Sequence, residues 1–106
     1  MTVRTENKPD MLYGVNSHDY GNGHADWTLS TSEQLCTYLT VTNANQAANI
    51  IAPNKTGRRY VVKNSSGYNI TIKISGGTGI TIATSKVAAV FHNGSDYVRE
   101  TADQAY

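Results

Sequence analysis

Beyond residue 26, apolar and polar positions alternate along much of the chain with the period of two that belongs to strands. Ile70, Ile72 and Ile74 share one parity within Tyr68 to Ile74, and Thr71 and Lys73 hold the other. That alternation predicts a strand with one buried face. Leu35, Thr37, Leu39 and Val41 repeat it, so Leu35 to Thr42 is expected as a second half-buried strand. Further strands are expected at Trp27 to Ser30, Ala48 to Ala52, Arg58 to Lys63, Ile80 to Ile82 and Tyr97 to Arg99. Val87 to Phe91 is apolar throughout and predicts a strand covered on both faces. Turn residues separate these runs at Asn43 to Gln46, Pro53 to Gly57, Ser65 to Gly67 and Gly76 to Gly79, and Asn93-Gly94 is a strong hairpin signal. No window shows a helical period beyond a single turn at Ser32 to Leu35. Short strands about ten residues apart predict an all-β fold, an antiparallel β-sandwich of jelly-roll type. The likeness of Ile70 to Lys73 and Ile80 to Ala83 reads as hairpin symmetry, not as a solenoid repeat.

Residues 1–26 lack this texture. They mix polar residues and glycine with isolated apolar anchors at Met11, Leu12, Tyr13 and Val15. The expected division is an extended N-terminal arm over 1–26 and a β-sandwich domain over 27–106. A wholly solvated tail rarely carries Met-Leu-Tyr, so the arm is expected to lie on a partner. At the other end, Thr101 to Tyr106 is polar and expected to fray.

Composition narrows the functional classes. The 106 residues suit one domain, and a net charge of +1 gives no basic footprint for nucleic acid or an anionic membrane. Thirteen Thr, ten Asn and eight Ser are the vocabulary of strands and turns. Cys36 is the one cysteine, so no internal disulfide and no Cys-based zinc cluster is expected. It reads as a small buried hydrophobe within its strand. The polar N-terminus does not read as a signal peptide, and no apolar run approaches the ~20 residues that span a bilayer.

Candidate chemistry is sparse. His18-Asp19 and His24-x-Asp26 have metal-ligand residue types, but in a Gly-rich lead-in they read as solvated loop groups. His92 stands beside the hairpin tip and is expected to be exposed. No carboxylate pair has an evident acid–base arrangement, and the Gly76 to Gly79 run lacks the lysine and following helix of a phosphate loop. The Asn-x-Ser/Thr triplets at Asn54, Asn64, Asn69 and Asn93 read as turn residues. No catalytic residue, cofactor or metal is therefore assigned, and the chain is not expected to be an enzyme. Arg58-Arg59-Tyr60, with Lys55 and Lys63 near it, is the one basic cluster. It is either a contact for an acidic partner or a solvated strand edge.

Several segments carry a resemblance. Ala47 to Asn64 (AANIIAPNKTGRRYVVKN), Tyr68 to Lys73 (YNITIK), Ser75 to Ile82 (SGGTGITI) and Phe91 to Val98 (FHNGSDYV) resemble segments of tailed-bacteriophage virion proteins. The order is Tyr-Val-Val-basic-Asn, a polar turn, an alternating strand, a Gly-rich turn, then a hairpin ending in Asp-Tyr-Val. It resembles the capsid decoration (cement) protein family and modules of phage fibres over roughly residues 34–101. What the resemblance implies is a structural virion protein on the capsid surface, synthesised in the host cytoplasm. Such a protein binds the major capsid protein across subunit seams and stabilises the mature shell, with possible self-association as a homo-oligomer. On that reading the candidate capsid contacts are Arg4, Met11, Leu12, Tyr13, Trp27, Arg58 and Arg59. The alternative is a tail-fibre or baseplate module that binds host carbohydrate, for which exposed aromatic residues on one concave face are expected.

Overall fold

The computed structural model describes residues 14–106, which form an all-β body with mixed sheets. In chain order the strands are β1 (Val15–Gly23), β2 (Trp27–Thr28), β3 (Tyr38–Ala44), β4 (Ala48–Ile51), β5 (Arg59–Asn64), β6 (Ile70–Lys73), β7 (Ile80–Ile82), β8 (Lys86–His92), β9 (Tyr97–Arg99) and β10 (Gln104–Ala105). One 3-10 turn, Glu33–Leu35, precedes β3. The larger sheet runs β1-β3-β5-β8-β10, with β9 also paired to β8, and the smaller runs β2-β4-β6-β7.

The first six strands alternate between the two sheets, the odd ones in the larger and the even ones in the smaller. Each strand therefore meets its sheet neighbour one full circuit later, running in the same direction. In the larger sheet Val15, Tyr38 and Val61 stand in one row, 23 residues apart. In the smaller sheet Trp27 and Ile50 are 23 apart, and Ile50 and Ile72 are 22 apart. The chain thus winds three times before it reverses. β7 then lies antiparallel to β6, and β8 antiparallel to β5.

One expectation is corrected here and another is borne out. Four of the eight strand pairings are parallel, so the antiparallel jelly-roll arrangement is not what forms. Strands about ten residues apart fit a hairpin meander, but they fit equally a winding that visits the opposite sheet between neighbours. The hairpin read from the likeness of Ile70 to Lys73 and Ile80 to Ala83 does form, since β6 and β7 lie antiparallel. The windings repeat like a short solenoid, though the repeated feature is burial rather than residue identity.

Stacked apolar rows hold the windings together. Leu39, Val62 and Ala88 align on the inner side of the larger sheet, and all three are buried. Trp27, Ile50 and Ile72 align in the smaller sheet, as do Ala48, Ile70 and Ile82, and all six are buried. Rows from both sheets belong to one buried cluster. Alternation along each strand leaves polar residues such as Thr28 and Thr81 outside.

The lead-in is corrected in part. Residues 15–23 are not an arm but strand β1, paired in parallel with β3. Its alternation is hard to read because its inner positions are Asn16, His18 and Tyr20 in place of aliphatic residues. The His18 ring stacks on Trp27 at 4.6 Å and 8°, and meets Tyr20 edge-on at 4.6 Å. Tyr20 donates from its hydroxyl to the Asn49 carbonyl at 2.7 Å. An aromatic stack therefore covers the first winding where the later ones use Ile and Val.

The tail does not fray as expected. β10 pairs with β8, and the Tyr106 hydroxyl bonds the Asn64 carbonyl at 3.1 Å. The Lys63 ammonium sits 4.4 Å from the Tyr106 ring centre, a cation–π contact.

Ile50→Ala is expected to cost about 2–5 kcal/mol, because it removes buried methyl groups from the middle of a stacked row. Thr28→Ala, on the exposed parity of the neighbouring strand, is expected within about 0.5 kcal/mol of the parent. Chemical denaturation of the two variants checks this. Equal losses would contradict the inner and outer assignment.

Candidate functional site

The basic cluster named from the sequence lies at the start of β5. The loop from Pro53 enters through Gly57, whose φ of +88° suits glycine. Gly57 N–H donates to the His92 carbonyl and His92 N–H to the Arg58 carbonyl, both at 2.9 Å. These bonds fasten the loop and the first residues of β5 to β8.

The two arginines are held differently. Arg58 Nη1 donates to the Gln34 carbonyl at 3.1 Å, and the Tyr60 hydroxyl donates to the same oxygen at 2.8 Å. The 3-10 turn thus supplies an acceptor that braces the Arg58 guanidinium. Arg59 faces outward. Its Nε and Nη2 donate to the two carboxylate oxygens of Glu100 at 2.9 and 2.7 Å, a two-pronged ion pair. Glu100 is in place because its own N–H donates to the Ala89 carbonyl at 2.8 Å.

Two adjoining depressions flank this pair. One, of about 270 Å³, is lined by Thr37, Arg59, Tyr60, Val61, Ala89 and Glu100. The other, of about 410 Å³, is lined by Gln34, Leu35, Thr37, Gly57, Arg58 and Arg59. Thr37 and Arg59 belong to both.

Behind them lies a rigid polar support. His92 is buried, not exposed as its place beside Asn93-Gly94 suggests, because the hairpin folds inward against the 53–57 loop. Gly94 N–H donates to His92 Nδ1 at 3.0 Å, so the ring proton is assigned to Nε2, which donates to Asn54 Oδ1 at 2.7 Å. The Tyr97 hydroxyl donates to the Pro53 carbonyl at 2.8 Å. Burial raises the pKa of both Tyr60 and Tyr97, so both phenols stay neutral donors. Asp96 ties the hairpin to the glycine turn before β7. Its Oδ2 accepts from Thr78 N–H at 3.0 Å and Gly79 N–H at 2.9 Å, and its Oδ1 accepts from Tyr97 N–H at 2.7 Å.

The sequence-named candidates separate. Arg58 and Arg59 meet at the depressions. Trp27 is buried beneath His18 and offers no contact surface, because its indole fills an inner row. Arg4, Met11, Leu12 and Tyr13 lie outside the described residues. The His18-Asp19 and His24-x-Asp26 groups do not converge. His24 Nδ1 contacts Asn45 Oδ1 at 3.2 Å, Asp26 Oδ1 accepts from Asn49 at 3.0 Å, and Asp19 accepts from Gly21 N–H at 2.7 Å. Burial lowers the His18 pKa against the opposing pull of Glu33 and Asp19, which favours the neutral ring against Trp27. Among the described residues, no three His, Cys, Asp or Glu side chains form a metal-binding group. Cys36 is buried as expected, but it follows the 3-10 turn and is not within a strand. Glu100 and Gln34 escaped the sequence reading, since both join the arginines only through long-range pairing. Comparison with protein-family models, curated proteins and solved structures found no match for this chain.

The Asp96 carboxyl carries the pH dependence of this region. Its partial burial opposes ionisation, but bonds from the backbone N–H groups of Gly79, Tyr97 and Thr78 prevail and hold its pKa below the ordinary aspartate value. A depressed carboxylate contributes stability above its unfolded pKa of about 4, and the contribution disappears as pH falls through the folded value. Melting temperature is expected to fall on acidification below about pH 4, and Asp96→Asn is expected to flatten that fall. Thermal melts between neutral and acidic pH check both. An unchanged acid limb in the variant would remove Asp96 from the account.

Proposed function

We propose that this chain is a structural virion protein, a capsid decoration protein that binds the outer surface of a phage shell across subunit seams and stabilises the mature form. It acts by binding, without catalysis, cofactor or metal. Its partner is the major capsid protein, and its two sheets serve as a rigid β-sandwich brace between shell subunits.

One observation supports this reading above the others. Val15, Tyr38, Val61 and Ala89 stand in a single row across four strands of the larger sheet, on the parity opposite the buried one. Val15 is 66% exposed, and the other three are only partly buried. Phe91 and Val98, directly paired on β8 and β9, are also partly exposed and extend the apolar surface. A contiguous apolar surface of this kind marks a protein contact more often than a solvated face. Five strands at about 4.8 Å spacing make it broad, an extent suited to another protein surface.

The mechanism is linkage. A protein that binds the expanded shell and not its precursor stabilises the expanded state by RT ln(1 + [L]/Kd) at every site. Many equivalent sites make a modest contribution per copy large for the whole shell. A stiff body is suited to this role, since a brace that deformed would transmit less of its binding energy across the seam.

Co-sedimentation with expanded shells and with unexpanded proheads of the encoding phage tests the proposal. Saturable binding to expanded shells is expected, at a simple ratio to the capsid subunit. Val61→Glu, which places a charge in the outer row, is expected to weaken it about tenfold or more while leaving the fold intact. Absence of binding by the folded parent protein would overturn the reading in favour of a carbohydrate-binding fibre or baseplate module.

A further inference from the structure

We propose that the Arg58–Arg59 depressions form a docking site for an acidic side chain of a partner protein, and that Glu100 is the resident carboxylate which the incoming one replaces. This rests on the reading that the outer face of the larger sheet meets a protein surface.

The geometry of the ion pair comes first. Arg59 presents Nε and Nη2 side by side, and the Glu100 oxygens occupy both at 2.9 and 2.7 Å. The guanidinium is therefore already set out as a receptor for a planar carboxylate. The occupant is held by one partner. Among the described residues its carboxylate hydrogen-bonds only with Arg59, whose side chain is 68% exposed, while the Glu100 side chain is 32% exposed. An incoming carboxylate takes the same two donors, so the exchange replaces one two-pronged pair by another at little net cost. The glutamate backbone stays fixed through its bond to Ala89, so the side chain can leave while the bend after β9 remains.

Charge favours an acidic visitor. With Glu100 in place the two arginines still leave one net positive charge at the depressions, and Arg58 is pinned there through Gln34. Lys63 shares the outer face of β5 with Arg59, so two cations bracket Val61. Val61, Ala89 and Thr37 provide an apolar floor for the methylene groups of an aspartate or glutamate. The same lining argues against a sugar acid. The one aromatic residue that lines either depression is Tyr60, which is 1% exposed and offers no open ring for stacking on a sugar.

The test is an NMR titration of the full chain with a capped pentapeptide alternating glutamate and valine. Its glutamine counterpart and trigalacturonate serve as comparison probes. The glutamate peptide is expected to shift the Arg59 Nε–H signal and the amides of Arg59, Ala89 and Glu100, and the glutamine peptide is expected to shift none of them. Glu100→Gln removes the competing charge and is expected to tighten peptide binding about three- to fivefold. Arg59→Lys keeps the charge but loses the fork, and is expected to lose most of the binding. Melting curves of both variants, compared with the parent, establish that they are folded. Unchanged or weaker binding by folded Glu100→Gln, or parent-like binding by Arg59→Lys, would overturn the proposal. A response to trigalacturonate with none to the peptide would overturn it in favour of a sugar acid. Peptide exchange without shell binding would refute the capsid reading and leave this site standing, whereas shell binding without peptide exchange would do the reverse.

Discussion

The structure depends on the stacking of one winding upon the next. Parallel strands cannot be joined by a tight turn, so each pair needs a crossover of a dozen or more residues. Here the crossover is itself a strand of the opposite sheet. This arrangement works only if every circuit has nearly the same length, and the offsets of 23, 23 and 22 residues meet that condition. A one-residue slip would turn Ile50 and Ile72 outward and put their polar neighbours in the core. The inner rows are therefore both the main source of burial and the device that sets register.

A winding of this kind has two ends, and they are finished differently. At the reversal, Gly79 has a φ of +64°, and a side chain there would collide with the Ile72 backbone. Buried Asn64 closes the neighbouring turn. Its amide donates to the Tyr68 and Ile82 carbonyls at 2.8 and 3.0 Å, and its oxygen accepts from Ser66 N–H at 3.0 Å and the Ser66 hydroxyl at 2.8 Å. Along the far edge of β8, β9, β10 and the Glu100–Thr101 bend together take up the pairing. The first winding is different. Among the described residues β1 pairs only with β3, and its register shifts between Asp19 and Gly23, where Gly21 and Asn22 adopt positive φ. That irregularity interrupts a long strand edge that would otherwise be a template for unwanted pairing.

The contrast between the ends explains what was legible in the sequence. Alternation identifies strands wherever the inner residues are aliphatic, as in Ile70 to Lys73 or Tyr60 to Val62. It fails for β1, whose inner residues are the polar Asn16 and the ring-bearing His18 and Tyr20, with His18 stacked on Trp27. Pairing direction was not legible, because spacing of about ten residues fits a hairpin and a half-circuit alike. The exceptions are Asn93-Gly94 and the likeness of Ile70 to Lys73 and Ile80 to Ala83, and both hairpins do form, β8 with β9 and β6 with β7. Trp27 and His92 were misjudged for a shared reason. Each is buried by a segment beyond its immediate neighbours in the chain: Trp27 by the His18 ring from β1, His92 by the loop at Asn54.

The same frame determines which parts of the arginine cluster were readable. Two adjacent arginines announce a basic site but do not say which of them is free to exchange partners. That distinction arises because β5 is a central strand, flanked by β3 and β8. Arg59, the first residue of β5, has the outward parity, and Arg58 precedes the strand and turns toward the 3-10 segment. Arg58 thereby becomes a fixed charge and Arg59 a presented fork. Because β8 and the Ala89 contacts also position Glu100, the sheet holds donor and acceptor together without locking either side chain below the surface. A receptor built on a rigid strand with an exposed occupant held by one partner loses little conformational entropy when the occupant is replaced. The stacked rows thus have a consequence at the surface: they fix the position of Arg59 closely enough for one carboxylate to stand in for another.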